Sequence, residues 1–163
     1  MDATTDGEAT PTKNQTTMER KSDRELVVTR TVNGPARLVF EAWTKAELFR
    51  QWWVPKSYGL TLLACEIDAH VGGRYRLVFK HEDSSMEFFG TYLDVTPHSR
   101  LVWTNDEGDA GQTITTVTFE ERAGKTLIVV HDLYPSAEAV DTGSTGTLPE
   151  TLDQLDELLA SLR

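Results

Sequence analysis

Between residues 25 and 32, Leu26, Val28, Arg30 and Val32 alternate with Val27, Thr29 and Thr31. A period of two with β-branched side chains predicts a strand. Asn33-Gly34-Pro35 stops it and opens a helix, because proline is tolerated at the first helical position. The period then lengthens. Ala36, Val39, Phe40 and Trp43 fall at i, i+3, i+4 and i+7 and share one helix face. Thr44-Lys45-Ala46-Glu47 reads as a capping box, each side chain satisfying an end donor of a second short helix. Leu48, Phe49 and Trp52 share a face of that helix, and Pro55 ends it.

From residue 60 onwards the two-residue period returns. It predicts strands at about 60–69, 73–80, 86–95, 100–105, 113–121 and 125–133. Val71-Gly72-Gly73, Asp83-Ser84-Ser85, Pro97-His98-Ser99, Glu107-Gly108-Asp109 and Ala123-Gly124 separate them as turns. Gaps this short join antiparallel neighbours, since a parallel return needs a long crossover. With the first strand, about seven are expected. The chain closes on a helix: Thr147 and Glu150 frame a second capping box around Pro149. Leu148, Leu152, Leu155, Leu159 and Leu162 form its apolar stripe, while Asp153, Asp156 and Glu157 lie on the wet side. Such a stripe requires an apolar partner, and the sheet is the largest one available. The fold class is therefore α+β.

Composition narrows the picture. Residues 1–22 are polar and contain no aromatic residue, so they read as a disordered tail that buries too little to offset its ordering entropy. Residues 23–163 then form a single domain. The 26 acidic residues outnumber the 16 basic ones, for a net charge of −10, which opposes contact with nucleic acid or an anionic membrane surface. No apolar run is long enough to span a bilayer. The start of the chain lacks the basic and apolar regions of a signal peptide. A lone Cys65 forms no internal disulfide and suits a reducing, cytoplasmic setting.

The order of elements, with a long helix after an antiparallel run, looks like the helix-grip fold, a curved sheet wrapped around its C-terminal helix. Local motifs agree in order: residues 39–44, Leu48 to Pro55 (LFRQWWVP), Val71-Gly72-Gly73-Arg74-Tyr75, Ser99-Arg100-Leu101-Val102 and Thr151-Leu152-Asp153-Gln154-Leu155. Together they resemble the START-like (SRPBCC) proteins related to the C-terminal domain of the Hsp90 ATPase activator. Thr147-Leu148 stands where many relatives carry Gly-Trp. The activator's separate N-terminal domain has no counterpart in the short tail. The resemblance implies ligand binding between sheet and helix. Some members of the superfamily are cyclases or hydrolases of apolar substrates.

A bent sheet facing one helix leaves space for an apolar pocket with a few polar groups. The expected lining is Trp53, Tyr75, Phe79, Phe88, Tyr92, Trp103, Val117, Phe119, Val129, His131, Leu148, Leu152 and Leu155. The competing reading is that these side chains simply pack a solid core. Strand parity places Leu127, Val129, His131 and Leu133 on one face of the last strand, with Ile128, Val130 and Asp132 on the other. If the first set faces the helix, His131 enters the cavity as ligand contact, general base or satisfied core histidine. Glu66, Asp68, Arg74 and Arg76 flank the glycine turn. A turn over 69–73 pairs them into an outer ladder, whereas a shorter turn leaves the charges unmatched.

No metal site is expected, because His70, His81, His98 and His131 lack ligand spacing and one cysteine builds no thiolate site. Nothing indicates a cofactor, and no nucleophile elbow, phosphate loop or zincin motif occurs. The leading expectation is a non-catalytic binder of a small, largely apolar molecule, linked to stress response and acting as a monomer or weak dimer. Alternatives are an enzyme on an apolar substrate, with His131 as its base, and an accessory module for an Hsp90-type chaperone.

Overall fold

The computed structural model describes residues 15–106, 111–142 and 144–162. Among these, eight strands form one antiparallel sheet: β1 (Thr17–Ser22), β2 (Glu25–Val32), β3 (Thr61–Ile67), β4 (Arg74–His81), β5 (Ser84–Thr96), β6 (Arg100–Asp106), β7 (Gln112–Arg122) and β8 (Lys125–Leu133). Their order across the sheet is β1-β2-β8-β7-β6-β5-β4-β3. Helices α1 (Ala36–Thr44) and α2 (Ala46–Phe49) follow β2. Helices α3 (Ala137–Thr142) and α4 (Leu148–Leu162) follow β8. The helix-grip expectation holds: a curved, open sheet holds a long C-terminal helix.

Alternating side chains and short turns set the strands, and seven of them lie within two residues of the expected ends. The eighth is β1. Its residues were read as tail, but they pair with β2, placing Met18 opposite Val28 and Arg20 opposite Leu26. Every β1 residue is exposed, so backbone hydrogen bonding to the sheet edge orders it without core burial, which hydrophobic patterning does not reveal. Residues 1–14 of that tail and the turn Glu107-Gly108-Asp109 lie outside the described residues.

Strand β5 bends the sheet. Its first part pairs with β4 from Ser84 to Thr91, and its second part pairs with β6 from Tyr92 to Thr96. Gly90 sits at this change of partner, directly opposite Tyr75. A Cβ at Gly90 would lie 1.7 Å from the Thr104 carbonyl oxygen and 2.8 Å from the Tyr75 ring. Only glycine allows β6 and the tyrosine to come so close.

Helix α4 fills the curve. Leu152, Leu155 and Leu159 are fully buried, with Leu148 and Leu158 nearly so, each contributing about 1.5–3 kcal/mol of transfer free energy. The first capping box is replaced by another bond, and the acid of the second takes a partner outside its helix. The Thr44 hydroxyl donates back to the Phe40 carbonyl at 2.9 Å, because Thr44 ends α1, and α2 starts without a side-chain cap. The Glu150 carboxylate accepts from the Ser57 amide and hydroxyl at 2.9 and 2.6 Å.

Asp153 and Asp156 also leave the solvent side expected for them. Both pair with Arg30, whose side chain is 1% exposed on the inner face of β2. A guanidinium buried there requires carboxylates, and α4 supplies them one turn apart.

Candidate functional site

Between the curved sheet and the start of α4 lies a cavity of about 420 Å³, within the range of small-molecule sites. Three sets of residues build it. From the sheet come Tyr75, Leu77, Phe79, Phe88, Tyr92 and Trp103. The segment after α2 contributes Trp53, Pro55, Tyr58 and Leu60. Leu148 closes the space from the helix.

Ring-on-ring contacts brace the aromatic wall. Trp43 stands edge-on to Trp52 at 4.8 Å and tilts towards Trp103 at 5.8 Å. Phe49 stacks on Trp53 at 4.7 Å. Tyr92 meets Tyr75 at 6.1 Å and Trp103 at 6.3 Å, both edge-to-face, the geometry that ring quadrupoles favour. Burial pushes the Tyr92 phenol well above its ordinary pKa, so it stays neutral. The Trp43 indole N–H is buried with no acceptor among the described residues. A donor left so costs about 1–3 kcal/mol.

Gln154 on α4 fastens the segment over the cavity. Its amide nitrogen donates to the Trp52 and Val54 carbonyls at 2.9 and 2.7 Å, and its oxygen accepts from the Lys56 amide at 3.0 Å. The Trp52 indole donates to the Ala42 carbonyl at 2.9 Å, tying the same segment to α1.

One end of the cavity is polar. Asn105, Thr113, Thr115, Asp132, Tyr134 and Thr145 gather there. Thr115 and Thr145 each donate a hydroxyl to the Asp132 carboxylate at 2.6 Å. Tyr134 in turn donates to the Thr145 hydroxyl. Tyr75 directs its phenol at the Thr104 carbonyl, 2.8 Å away, and lies 3.0 Å from the Asn105 side-chain oxygen. Asp132 is only 7% exposed.

The family model for Activator of Hsp90 ATPase homolog 1-like protein matches residues 33–160. The chain belongs to this family. Its fold is similar to that of a structural-genomics protein from Rhodobacter sphaeroides, with a TM-score of 0.81 and 23% identity over 91% of this chain and 100% of that one. A protein from Staphylococcus epidermidis gives 0.73 and 27% identity, covering 90% and 95% respectively. One from Arthrobacter aurescens gives 0.77 at 15% identity, covering 89% and 91%. No curated protein matches in sequence.

Within this Hsp90-activator-like domain, the residues expected at the cavity divide. Trp53, Tyr75, Phe79, Phe88, Tyr92, Trp103 and Leu148 line it. Val117, Phe119, Leu152 and Leu155 are buried in the core behind it. Phe119, for example, packs on Phe40 and Trp43 at 5.7 and 5.9 Å.

Val129 and His131 face the other way. On β8 the buried positions are Thr126, Ile128, Val130 and Asp132, so the inward parity is the reverse of the one that would carry His131 into the cavity. His131 instead meets Glu25 of β2 at 2.7 Å, with more than a third of its side chain exposed. That contact and the Ser22 hydroxyl hold the Glu25 carboxyl below its ordinary pKa.

The charges beside the glycine turn adopt the paired register. Glu66 faces Arg76, and the Asp68 amide donates to the Arg74 carbonyl. Arg76 contacts both Glu66 and Glu87 on the exposed face, so this ladder is an outer surface.

Asn105, Thr115, Asp132, Tyr134 and Thr145 are what pattern reading missed. One signal was available: Asp132 is an acid in an otherwise apolar alternate set with Ile128 and Val130.

Proposed function

We propose that this domain binds a small amphipathic molecule in the cavity between the curved sheet and α4. The supporting observation is the lining itself: aromatic walls leave about 420 Å³ between them and end in a hydroxyl-rich polar group. Thr115, Asp132 and Thr145 satisfy one another, and their position at the edge of this space gives it the few polar groups that accompany apolar walls in small-molecule sites. The unpaired Trp43 indole N–H beside the cavity suits the same reading.

An amide NMR titration of the full chain with fatty acids, phenols, organic amines and sterols tests it. Saturable shifts centred on Tyr75, Tyr92, Trp103 and Asp132 support the reading, whereas no shifts across the panel overturn it. Turnover of a bound compound would move the function to an enzyme of apolar substrates. His131, turned outward onto Glu25, is poorly placed to act as its base. Family membership favours a second reading, an accessory to an Hsp90-type chaperone. Stimulated ATP turnover when the chain is added to Hsp90 would support that role.

A further inference from the structure

We infer that the occupant of this cavity carries an organic ammonium group on an apolar body, with the nitrogen seated against Asp132. The inference rests on the binding reading above and narrows its chemistry.

Charge decides first. Asp132 is the sole formally charged side chain among the described residues that line the cavity, which include no lysine, arginine or histidine. It is buried, so water screens its field weakly, and a bound carboxylate would meet repulsion strengthened by the low dielectric.

Hydrogen-bond direction agrees with the charge. The Thr115 and Thr145 protons point at Asp132, and the Tyr134 proton points at Thr145. Tyr75 spends its proton on the Thr104 carbonyl. With the Thr115 and Thr145 protons committed to Asp132, neither hydroxyl donates to an occupant as well, and this end presents acceptor chemistry. An ammonium has donors and no acceptor, and it matches such an end. The remaining wall suits it too: Trp53, Tyr92 and Trp103 present aromatic surface, which attracts cations as well as apolar groups. The net charge of −10 also raises the local concentration of cations.

Three ligands of one shape form the probe set: 4-phenylbutylamine, 4-phenylbutanol and 4-phenylbutyrate, titrated by calorimetry into the unaltered chain. The amine is expected to bind at least about tenfold more tightly than the carboxylate, with the alcohol between them. Asp132→Asn is nearly isosteric and should abolish the amine's advantage. Because the ranking is measured on the unaltered chain, the test survives a variant that folds poorly. Equal or tighter binding of the carboxylate overturns the ammonium assignment and leaves the cavity reading standing. Absence of binding by all three, together with an unresponsive NMR panel, overturns both.

Discussion

Arg30 donates to Asp156 at 2.6 Å from a side chain that is 1% exposed, whereas the Asp156 side chain is 15% exposed. Asp153 takes the other arm of the guanidinium at 2.7 Å and is 27% exposed. Asp156 also accepts from the Asn33 amide at 2.7 Å, fastening the β2–α1 corner to α4.

That asymmetry of burial sets the cost of breaking the cluster. Replacing both acids strands a buried cation, and Asp153→Ala with Asp156→Ala should lose about 3–5 kcal/mol. Arg30→Met leaves carboxylates that can reach water, so its loss should be smaller. Urea denaturation of the two variants checks the order. A larger loss for Arg30→Met would contradict it.

Gln154 makes three bonds to the segment over the cavity. Gln154→Leu keeps the volume and strands two carbonyls and an amide, at about 1–3 kcal/mol for each group left dry. Hydrogen exchange at the Lys56 amide should accelerate more than exchange in β7 or β8. Uniform acceleration would show global rather than local loosening.

Gly90→Ala should be strongly destabilising, since its Cβ would overlap the Thr104 carbonyl oxygen and neither backbone can yield cheaply. The thermal midpoint should fall, and the Tyr75 contacts should shift in NMR spectra. An unchanged midpoint would mean that the sheet's bend is soft.

Glu25 and Glu150 both have carboxyls held below the ordinary glutamate value of 4.5, Glu25 by His131 and Ser22, Glu150 by the Ser57 hydroxyl and amide. A folded-state pKa depressed below the unfolded one stabilises the fold above the unfolded value. That contribution disappears as pH falls through the depressed one. Glu25→Gln and Glu150→Gln should therefore each flatten the acid limb of a thermal-midpoint profile below pH 4.5. A variant profile parallel to that of the unaltered chain would remove that carboxylate from the acid transition.

His131→Ala should leave ligand affinity unchanged, because the imidazole faces Glu25 rather than the cavity. Tyr92→Leu should weaken affinity, because Tyr92 lines it. The same titration compares both. A His131 effect as large as that of Tyr92 would contradict the outward parity of His131 on β8.

The sequence by itself determined the succession of elements. Strand period, turn residues and the leucine stripe of α4 act over a few neighbours, so β2 through β8 and the long helix are legible without any distant contact. Seven of the cavity's aromatic and aliphatic positions were legible too: Trp53 in the segment after α2, five on strands and Leu148 on the helix stripe. On β8 the alternation is ambiguous. Leu127, Val129 and Leu133 are as apolar as Ile128 and Val130, so period alone cannot choose a face. Packing of β8 between β2 and β7 makes the choice, turning Asp132 inward and His131 outward.

Long-range partners decided the rest as well. Arg30 is buried because two acids on α4, more than a hundred residues away, neutralise it. Strand β1 exists because β2 presents an open edge. The polar end of the cavity draws on β6, β7, β8 and the turn before α4. Residues that far apart in sequence meet because strand pairing sets Asn105 opposite Thr113 and Thr115 opposite Asp132, while the close approach at Gly90 brings Tyr75 against β6.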